Sequence, residues 1–559
     1  MNIISNDINN IKGMRVLFIN MPLRESAVPN TPPEGPGILG AILRRSGVHV
    51  SLIDLNGKRI IDSVSLDRNL PRGRHMTISE SKEYLLSHIN KNGTPDVVAL
   101  SGMITTLRWQ EEFSKIVKKI LPDCFLVTGG GLATEISAGL FNWIPELDAV
   151  ARSEGDSVIN YIISDAALIK EIGFQKSVKS NRLSKYYRGV ISGRHRFLYE
   201  GGRPKNLDDI PYAALDMLES DAYNENLLEF YIKNDVWGLA ANNSSAAPFS
   251  MTRSLTTVSS RGCPYSCAFC YRGAQGERNY GMRSSVHIAK QIREYVDKYS
   301  LDFIGFPDDN FAVDKRRIKR MVPVFKEYGL HNMRWGTHTR MDEADSRVFE
   351  MSESGCVYIG FGAESSHETT LERMNKGGFI LRNGLEPTKV RGKIYNFPKT
   401  MIDAIMNCHE SGIHANCTWI MGYPGETLEH LQTSVAFIVW QQDIIENNLI
   451  KNNNGYTDPK VAINRNMFTA TAYPGTAMFK DEESVKKQLR NNFKISFGIT
   501  GSPICDENFH QYVLELDDAT KVLRNNSGDF LNYSEMSDDE FMVARNYIDS
   551  DDVEKILEM

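Results

Sequence analysis

Three cysteines lie close together in the stretch "SSRGCPYSCAFCYRG", which runs from residue 259 to residue 273. Three residues separate Cys263 from Cys267, and two separate Cys267 from Cys270. The other five of the chain's eight cysteines are scattered over 559 residues, which argues against a disulfide framework. Thiols this close together on one short loop indicate a metal site.

The number of thiols decides which metal site is favoured. A structural zinc site commonly takes four ligands from two separated pairs, and the sequence offers no second pair. Cys356, Cys408 and Cys417 stand apart in predicted helices or strands, where a cysteine is most often a small core residue. Three thiolates without a fourth favour a [4Fe–4S] cluster with one iron left open for a substrate or a second cofactor.

The elements around the cysteines form an alternating series. From Ser254 onward, strand-like segments alternate with helix-like ones in six units, fewer than the eight of a closed barrel. The sequence therefore predicts a partial, open α/β barrel, with the cysteine loop directly after its first strand. The segment 377–398, "GGFILRNGLEPTKVRGKIYNFP", interrupts the series and is either a lid or substrate loop or a solvated surface insertion.

An earlier series begins at Met14. Its strand-like segments are "RVLFINM", "VHVSLIDL", "DVVALSG", "CFLVTGG" and "LDAVARSEGD", and "QEEFSKIVKKIL" between the third and fourth has its apolar residues at helical spacing. This alternation predicts a doubly wound, Rossmann-like parallel sheet, whose ligands bind beyond the carboxyl ends of the strands.

A chain of this length exceeds a single core. We assign residues 1–13 to a tail, 14–165 to the Rossmann-like domain, 166–250 to a connector, 251–480 to the barrel, and 481–559 to a small, mostly helical C-terminal subdomain.

Two glycine-containing turns follow strands of the first domain, "SGMITT" and "VTGGGLAT". Three successive glycines, Gly129 to Gly131, allow positive φ angles and a close approach of the backbone to a ligand. Taken alone, the pattern favours a tight strand-to-helix turn over a ligand contact. No GxGxxG opens the first strand–helix unit, which disfavours a dinucleotide domain.

Composition excludes some classes of function. A net charge of −6 argues against a general affinity for nucleic acid. The first residues, "MNIISNDINNIKGM", are polar and lack the apolar core of a signal peptide, and no apolar run approaches the length of a membrane span. These features predict a cytoplasmic protein.

The CxxxCxxC spacing, directly after the first strand of a β/α series and with the aromatic Phe269 before the last cysteine, resembles the radical S-adenosylmethionine (SAM) superfamily. This resemblance implies that the three cysteines hold a [4Fe–4S] cluster whose open iron binds SAM. It also implies SAM contacts at Arg340 and at the strand ends "FPDDNF", "GFGAES" and "MGYPGET". Two alternatives stay open from the residues themselves. The paired carboxylates of "FPDDNF" could hold a metal or act as acid and base, and Arg340 could form a surface salt bridge. The implied SAM residues are Phe269, Asp308, Asp309, Asn310, Arg340, Glu364, Gly422 and Gly425.

A doubly wound domain ahead of such a barrel resembles the cobalamin-binding radical SAM subfamily. The resemblance places the glycine turns and the "RSEGD" turn on the cobalamin. The sequence lacks the DxHxxG motif that supplies a cobalt ligand, and His49 lies in a strand pattern, so cobalamin without a protein histidine ligand is expected. The implied cobalamin-binding residues are Ser101, Gly102, Thr105, Thr128, Gly129, Gly130, Gly131, Glu154 and Gly155.

The resemblance implies a radical SAM C-methyltransferase that uses two SAM molecules, one as methyl donor through methylcobalamin and one cleaved to the 5′-deoxyadenosyl radical. A cyclase, oxidoreductase or rearrangement enzyme with the same cofactors is the alternative, and a sensor of redox state or light is a third reading. An electron donor such as flavodoxin or ferredoxin is the expected partner. The substrate stays open among small molecules, lipids and peptides.

Overall fold

The computed structural model describes residues 10–25, 29, 31–190, 196–233, 251–271, 279–452, 463–499, 501–516, 522–525 and 527–559. These residues divide into two units. The first contains residues up to 231 together with 504–516, and the second contains most of the remainder. Within the described residues, no helix is long and apolar enough to cross a bilayer.

A seven-stranded sheet forms the centre of the first unit, in the order β2-β1-β3-β4-β5-β7-β6. Every neighbouring pair is parallel except β6 with β7. This arrangement confirms the predicted Rossmann-like sheet, with the switch in strand order between β1 and β3. The strands are β1 Arg15–Asn20, β2 His49–Asp54, β3 Val97–Ser101, β4 Phe125–Gly129, β5 Ala149–Arg152, β6 Tyr187–Val190 and β7 Phe197–Glu200.

Helices follow the strands of this sheet because their apolar residues recur on one face. In the helix after β3, Leu107, Phe113 and Val117 are buried, while Lys115 and Lys119 are exposed. The helices are α1 Glu34–Arg45, α2 Ser63–Asp67, α3 Ile78–Asn92, α4 Leu107–Ile120, α5 Gly131–Ile136, α6 Leu140–Trp143, α7 Ile159–Ile172, α8 Phe174–Lys179 and α9 Leu227–Lys233.

The region interpreted as a connector contains regular structure. Strands β6 and β7 extend the sheet beyond β5, and Phe197 and Tyr199 of β7 are buried in its core. Each of these strands has four residues, which is too short for a period-2 pattern to stand out in the sequence. Residues 191–195 and 234–250 of the interpreted connector lie outside the described residues.

Part of the predicted C-terminal subdomain belongs to the first unit. In the helix Glu507–Leu514, the rings of Phe509 and His510 lie 5.6 and 5.1 Å from that of Trp143. His510 also pairs with Glu111 of α4. The bounds assigned from the sequence therefore differ from this division, because these contacts join residues far apart in the chain.

Six parallel strands form the main sheet of the second unit, in the order β17-β16-β13-β12-β11-β8. The predicted partial barrel of six β/α units is confirmed. Two shorter sheets, β9 with β10 and β14 with β15, are antiparallel pairs. The strands are β8 Ser254–Thr256, β9 Ser260–Arg261, β10 Gly281–Met282, β11 Phe303–Phe306, β12 Arg334–Thr339, β13 Cys356–Glu364, β14 Leu385–Val390, β15 Lys393–Pro398, β16 His414–Met421 and β17 Met467–Thr469.

The remaining helices follow along the chain from residue 285, and the helix Glu507–Leu514 among them belongs to the first unit. They are α10 Ser285–Tyr299, α11 Lys315–Glu327, α12 Arg347–Glu353, α13 Glu368–Arg373, α14 Gly377–Ile380, α15 Lys399–Glu410, α16 Leu428–Asn452, α17 Ala477–Asp481, α18 Glu483–Phe493, α19 Glu507–Leu514 and α20 Asp538–Asp549.

The insertion at 377–398 is α14 followed by a β-hairpin. Its turn has positive φ at both Arg391 (47°) and Gly392 (89°), as a two-residue type I′ hairpin requires. Arg391 pairs with Asp443 of α16 at 3.0 Å. The hairpin is thus an ordered part of the second unit, and a role as lid or substrate loop stays a prediction.

Candidate functional site

The three clustered cysteines occupy the loop that follows β8 and β9, at the carboxyl end of the parallel sheet. Cys263 and Cys267 are half-buried and Cys270 is exposed. Backbone bonds hold the loop at its centre: Ala268 N–H donates to the carbonyl of Met374 (2.9 Å), and Met478 N–H donates to the carbonyl of Ala268 (2.8 Å). Three thiols are therefore presented on one fixed loop at the edge where ligands of parallel sheets bind.

Two carboxylates at the end of β11 fix the start of this loop. Asp308, which is 2% exposed, accepts hydrogen bonds from the Ser259 N–H (2.7 Å), the Ser259 hydroxyl (2.5 Å) and the Ser260 hydroxyl (2.6 Å). Asp309 accepts from the Gly262 N–H at 2.9 Å. Both carboxylates thus bind residues immediately before Cys263.

Asn310 lies deeper, beside the first cysteine. Its amide nitrogen is 3.8 Å from the Cys263 sulfur and 3.2 Å from a carboxylate oxygen of Glu343, and its amide oxygen accepts from the Thr339 hydroxyl at 2.7 Å. Burial raises the pKa of Glu343, and Tyr265 donates to the same carboxyl at 2.9 Å. These bonds join the cysteine loop to the ends of β11 and β12.

Arg340 is a buried cation in contact with the cysteine loop. It is 6% exposed, and its guanidinium lies 3.3 Å from the Cys267 sulfur, 2.8 Å from Asp342 and 4.0 Å from the centre of the Tyr265 ring. The charge of Arg340 favours the thiolate of Cys263, which is the form that binds metal. Burial acts in the opposite direction and raises the pKa of Cys263.

At the end of β13, Glu364 has a backbone φ of 66°. A non-glycine residue in this left-handed region is uncommon and often marks a functional site.

The side chain of Glu364 faces Lys376, whose ammonium lies 3.4 Å away. Burial raises the pKa of Glu364, and the charge of Lys376 acts in the opposite direction. Lys376 also donates to the Gly362 carbonyl (2.5 Å) and lies 5.9 Å from the Phe269 ring. The sequence "RMNKGG" gave no sign that Lys376 belongs to this site, because its partners Gly362 and Glu364 lie on β13, earlier in the chain.

The turn "MGYPGET" after β16 is closed by a buried acid. Glu426 is fully buried and accepts from the Gly422 N–H at 2.6 Å, while its other oxygen has no hydrogen-bond partner among the described residues. Burial raises the pKa of Glu426 to about 8. Both glycines have positive φ, 78° at Gly422 and 77° at Gly425, which favours glycine at each position. A Cβ at Gly422 would lie 2.6 Å from the Phe541 ring, and one at Gly425 would lie 1.7 Å from the Arg373 guanidinium. Their contact with SAM stays a prediction.

In the first unit, the two glycine-containing turns touch each other. Gly130 has φ 89° and ψ −160°, a conformation essentially restricted to glycine, and a Cβ there would lie 2.7 Å from the Gly102 carbonyl oxygen. A Cβ on Gly102 would in turn lie 2.2 Å from the Thr106 hydroxyl. The ends of β3 and β4 therefore form one close-packed backbone surface.

Side chains beneath these turns are linked by hydrogen bonds. Thr128 donates to Gln110 at 2.6 Å, and Gln110 donates to Thr106 at 3.1 Å. Ser101 ends β3 and its carbonyl accepts from Met21 N–H, whereas Thr105 lies in the 3₁₀ turn Ile104–Thr106.

The "RSEGD" turn lies at the same edge. Ser153 N–H donates to the Thr134 hydroxyl (3.0 Å), which donates to the Gly130 carbonyl (2.8 Å). Glu154 pairs with Arg203 at 2.5 Å, and a Cβ on Gly155 would lie 3.2 Å from Leu39. The turns predicted for cobalamin are thus adjacent, while His49 begins β2 at the opposite edge.

Comparison with known proteins identifies the second unit's fold. Residues 257–438 match the model of the Radical SAM superfamily. An uncharacterized methyltransferase of Pyrococcus horikoshii is 24% identical over 84% of this chain and 83% of its own length. The anaerobic magnesium-protoporphyrin IX monomethyl ester cyclase of Cereibacter sphaeroides is 21% identical over 63% of this chain, and the match spans half of the cyclase.

Two solved structures share the fold over nearly the whole chain. The cobalamin-dependent SAM radical enzyme OxsB, with aqua-cobalamin bound, matches with a TM-score of 0.61 and 15% identity over 97% of this chain and 67% of OxsB. The radical SAM methyltransferase TsrM from Kitasatospora setae, with cobalamin and a [4Fe–4S] cluster bound, matches with a TM-score of 0.55 and 14% identity over 94% of this chain and 88% of TsrM. At these identities the likeness establishes the fold.

We expect Gly130→Ala to destabilise the first unit and Gly129→Ala to be tolerated. Alanine at position 130 combines a glycine-only backbone conformation, which costs about 1–3 kcal/mol, with a clash against the Gly102 carbonyl. At position 129 the nearest atom to a new Cβ is 3.9 Å away. Thermal unfolding of the two full-length variants measures the difference, and equal midpoints would contradict the close packing of the turns.

We expect Glu426→Gln to change how stability depends on pH. The raised pKa means that the folded chain binds this proton more tightly than the unfolded chain, so its contribution is complete below about pH 4.5 and is lost as pH rises through about 8. Relative to the Gln variant, the native chain should lose at most about 1.4 kcal/mol per pH unit across this window. Urea unfolding at several pH values measures the two profiles, and parallel profiles would contradict the raised pKa.

Proposed function

Because the chain carries a radical SAM domain at residues 257–438, we propose that it is a cobalamin-dependent radical SAM enzyme that methylates an unactivated carbon of its substrate. A [4Fe–4S] cluster and SAM are the cofactors of such domains. The observation that carries the proposal is the fixed loop with three thiols, one of them 3.3 Å from a buried guanidinium, at the carboxyl end of a six-stranded parallel sheet.

The donor set fits the cluster. Cys263, Cys267 and Cys270 offer three thiols on one loop, the number that suits a [4Fe–4S] cluster with one open iron. Among the described residues, no three cysteine, histidine, aspartate or glutamate side chains, these thiols included, converge as a group of metal ligands. Arg340 stabilises the charge of the thiolates. We assign Asp308 a positioning role, since both of its oxygens bind the loop, and this differs from the SAM contact predicted for it from the sequence.

With Asp308 assigned to the loop, the candidates for binding SAM are the other predicted residues at the strand ends. Arg340 and Glu364 are the ionic candidates, and Lys376 holds Glu364 in place. The Phe269 ring, which lies 6.4 Å from the Tyr423 ring, and the turn of Gly422 and Gly425 are the candidate contacts for the uncharged part of SAM. Asn310 stays a candidate through its place beside Cys263.

For cobalamin, the candidate contacts in the first unit include backbone groups at the ends of β3 and β4. The turns at Gly102 and Gly130 are so closely packed that a single added Cβ would clash. They lie at the carboxyl ends of β3 and β4, next to the switch in strand order, which is where parallel sheets of this type bind ligands. The predicted set from Ser101 to Gly155 surrounds this edge. The similar structures of OxsB and TsrM, both solved with cobalamin bound, support the assignment.

When bound, the cluster and SAM supply hydrogen abstraction from carbon, and cobalamin supplies methyl transfer. The chain's own residues hold these groups, orient them and limit the access of water. Methylation is supported by the name of the Pyrococcus relative, whereas the cyclase relative supports ring formation with the same type of domain as the second candidate.

We expect Asp308→Asn to weaken the cysteine loop. The amide replaces one acceptor oxygen with a donor that faces hydroxyl and N–H groups, which costs about 1–3 kcal/mol. The variant should therefore hold less iron after reconstitution and lose its visible absorbance faster in air. Asp314→Asn is the matched control, because asparagine caps the start of α11 as well as aspartate does. Equal iron content in both variants would contradict the positioning role.

Replacement of Cys263, Cys267 and Cys270 by alanine should abolish reductive cleavage of SAM, because the cluster loses its ligands, while cobalamin binding should persist. Iron content, 5′-deoxyadenosine and the absorbance of bound cobalamin measure these effects. Retained cleavage would contradict the cluster assignment.

Product analysis separates the two candidate reactions. S-adenosylhomocysteine formed together with 5′-deoxyadenosine supports methylation through cobalamin. If 5′-deoxyadenosine forms without S-adenosylhomocysteine, the methyltransferase proposal fails and the cyclase-type reaction replaces it.

A further inference from the structure

Helix α11 carries a charge opposite to that of the whole chain. Its 13 residues, "KRRIKRMVPVFKE", contain six cations and one acid, in a protein with a net charge of −6. Such a local excess of one sign creates a field that attracts oppositely charged partners.

The inner face of α11 is fastened to the cysteine loop. Arg317 is 4% exposed, and one guanidinium nitrogen lies 3.2 Å from both the carbonyl and the hydroxyl of Ser259. Another nitrogen donates to the Phe311 carbonyl at 2.8 Å, and the guanidinium stacks 4.5 Å from the Phe311 ring centre. Ser259 is also bound by Asp308 and lies four residues before Cys263.

The outer face carries four exposed cations, which we call the basic stripe: Lys315, Arg316, Lys319 and Arg320. Residues four apart lie on the same side of a helix, so Lys315 stands above Lys319 and Arg316 above Arg320.

Acidic residues neutralise only the first turn of the stripe. Lys315 pairs with Asp345 at 2.7 Å, and Arg316, whose side chain is 95% exposed, lies 3.5 Å from Asp314. Within the described ranges, neither Lys319 nor Arg320 forms an ion pair. Like charges four residues apart destabilise a helix by about 0.2–0.5 kcal/mol per pair, and an acidic partner at the stripe would relieve this repulsion.

We propose that the basic stripe is the docking surface for an acidic electron-donor protein of the flavodoxin or ferredoxin class. The inference rests on the proposed function, because a [4Fe–4S] cluster on the cysteine loop needs electrons from outside the chain. In each transfer the donor's reduced cofactor loses one electron and the cluster gains one, with no atom transferred.

Position and charge together support this partner. The stripe lies about one helix diameter, some 10–12 Å, from Ser259 and therefore close to the cysteine loop. Charge complementarity raises the rate of encounter and suits a transient complex, which electron-transfer pairs form over small interfaces. Phe349 of α12, which packs against α11, is 44% exposed and offers an apolar contact beside the charges.

The test is a binding measurement on the reconstituted full-length chain, with an oxidised acidic flavodoxin as probe at several salt concentrations. The variant Lys319→Glu/Arg320→Glu should weaken the Kd about tenfold or more at low salt and flatten its salt dependence. The control Lys119→Glu/Lys487→Glu makes the same change of charge at exposed sites outside α11 and should keep the native Kd. Lys319→Gln/Arg320→Gln should give an intermediate Kd and guards against misfolding of the reversed variant.

A second measurement separates this inference from the proposed function. With dithionite as reductant, the native chain and all variants should cleave SAM at the same rate, and only flavodoxin-driven cleavage should fall in the stripe variants. A native chain that cleaves no SAM with dithionite contradicts the proposed function, while the Kd still decides the docking site.

Two outcomes overturn the docking site. One is the same flavodoxin Kd for the stripe and control variants. The other is absence of flavodoxin binding together with RNA binding that the stripe variant abolishes, which would assign the stripe to nucleic acid.

Discussion

The arrangement of the second unit depends on the buried carboxylate of Asp308. A carboxylate with almost no access to water is stable only when its oxygens are fully hydrogen-bonded, and here all the donors come from Ser259 and Ser260. This requirement fixes the chain on leaving β8, four residues before the first cysteine. Arg317 binds the same serine from the other side, so the end of β11, the start of the cysteine loop and α11 share one polar centre.

Much of this organisation could be predicted from the sequence because it follows from patterns with a fixed period. Buried strands are visible as short apolar runs, and the spacing of the cysteines alone indicates a metal site. Strands β6 and β7 were not predicted, because four residues carry too little periodicity. Lys376 and Glu343 were not predicted either. Glu343 meets Asn310 only because β11 and β12 pair side by side, and Lys376 meets Glu364 only because the chain folds back onto the end of β13.

The glycines illustrate a different limit of sequence reasoning. Gly130, Gly422 and Gly425 all have positive φ and all follow strands of parallel sheets, so a sequence gives them the same interpretation. In the structure, Gly130 packs against another backbone, whereas Gly422 and Gly425 make room for side chains, those of Phe541 and Arg373. A glycine pattern thus indicates that some group lies close to the backbone at that position. It does not show whether this group is another backbone segment, a side chain or a ligand.

The contacts of α19 have a consequence for how the protein forms in the cell. The first unit draws residues 504–516 from near the end of the chain, and Trp143 and Glu111 find their partners only there. During synthesis the Rossmann-like sheet emerges first but stays without this helix until the barrel strands have been made. The last contacts of the first unit therefore form after most of the second unit has left the ribosome, which makes the two units interdependent in assembly although each has its own sheet.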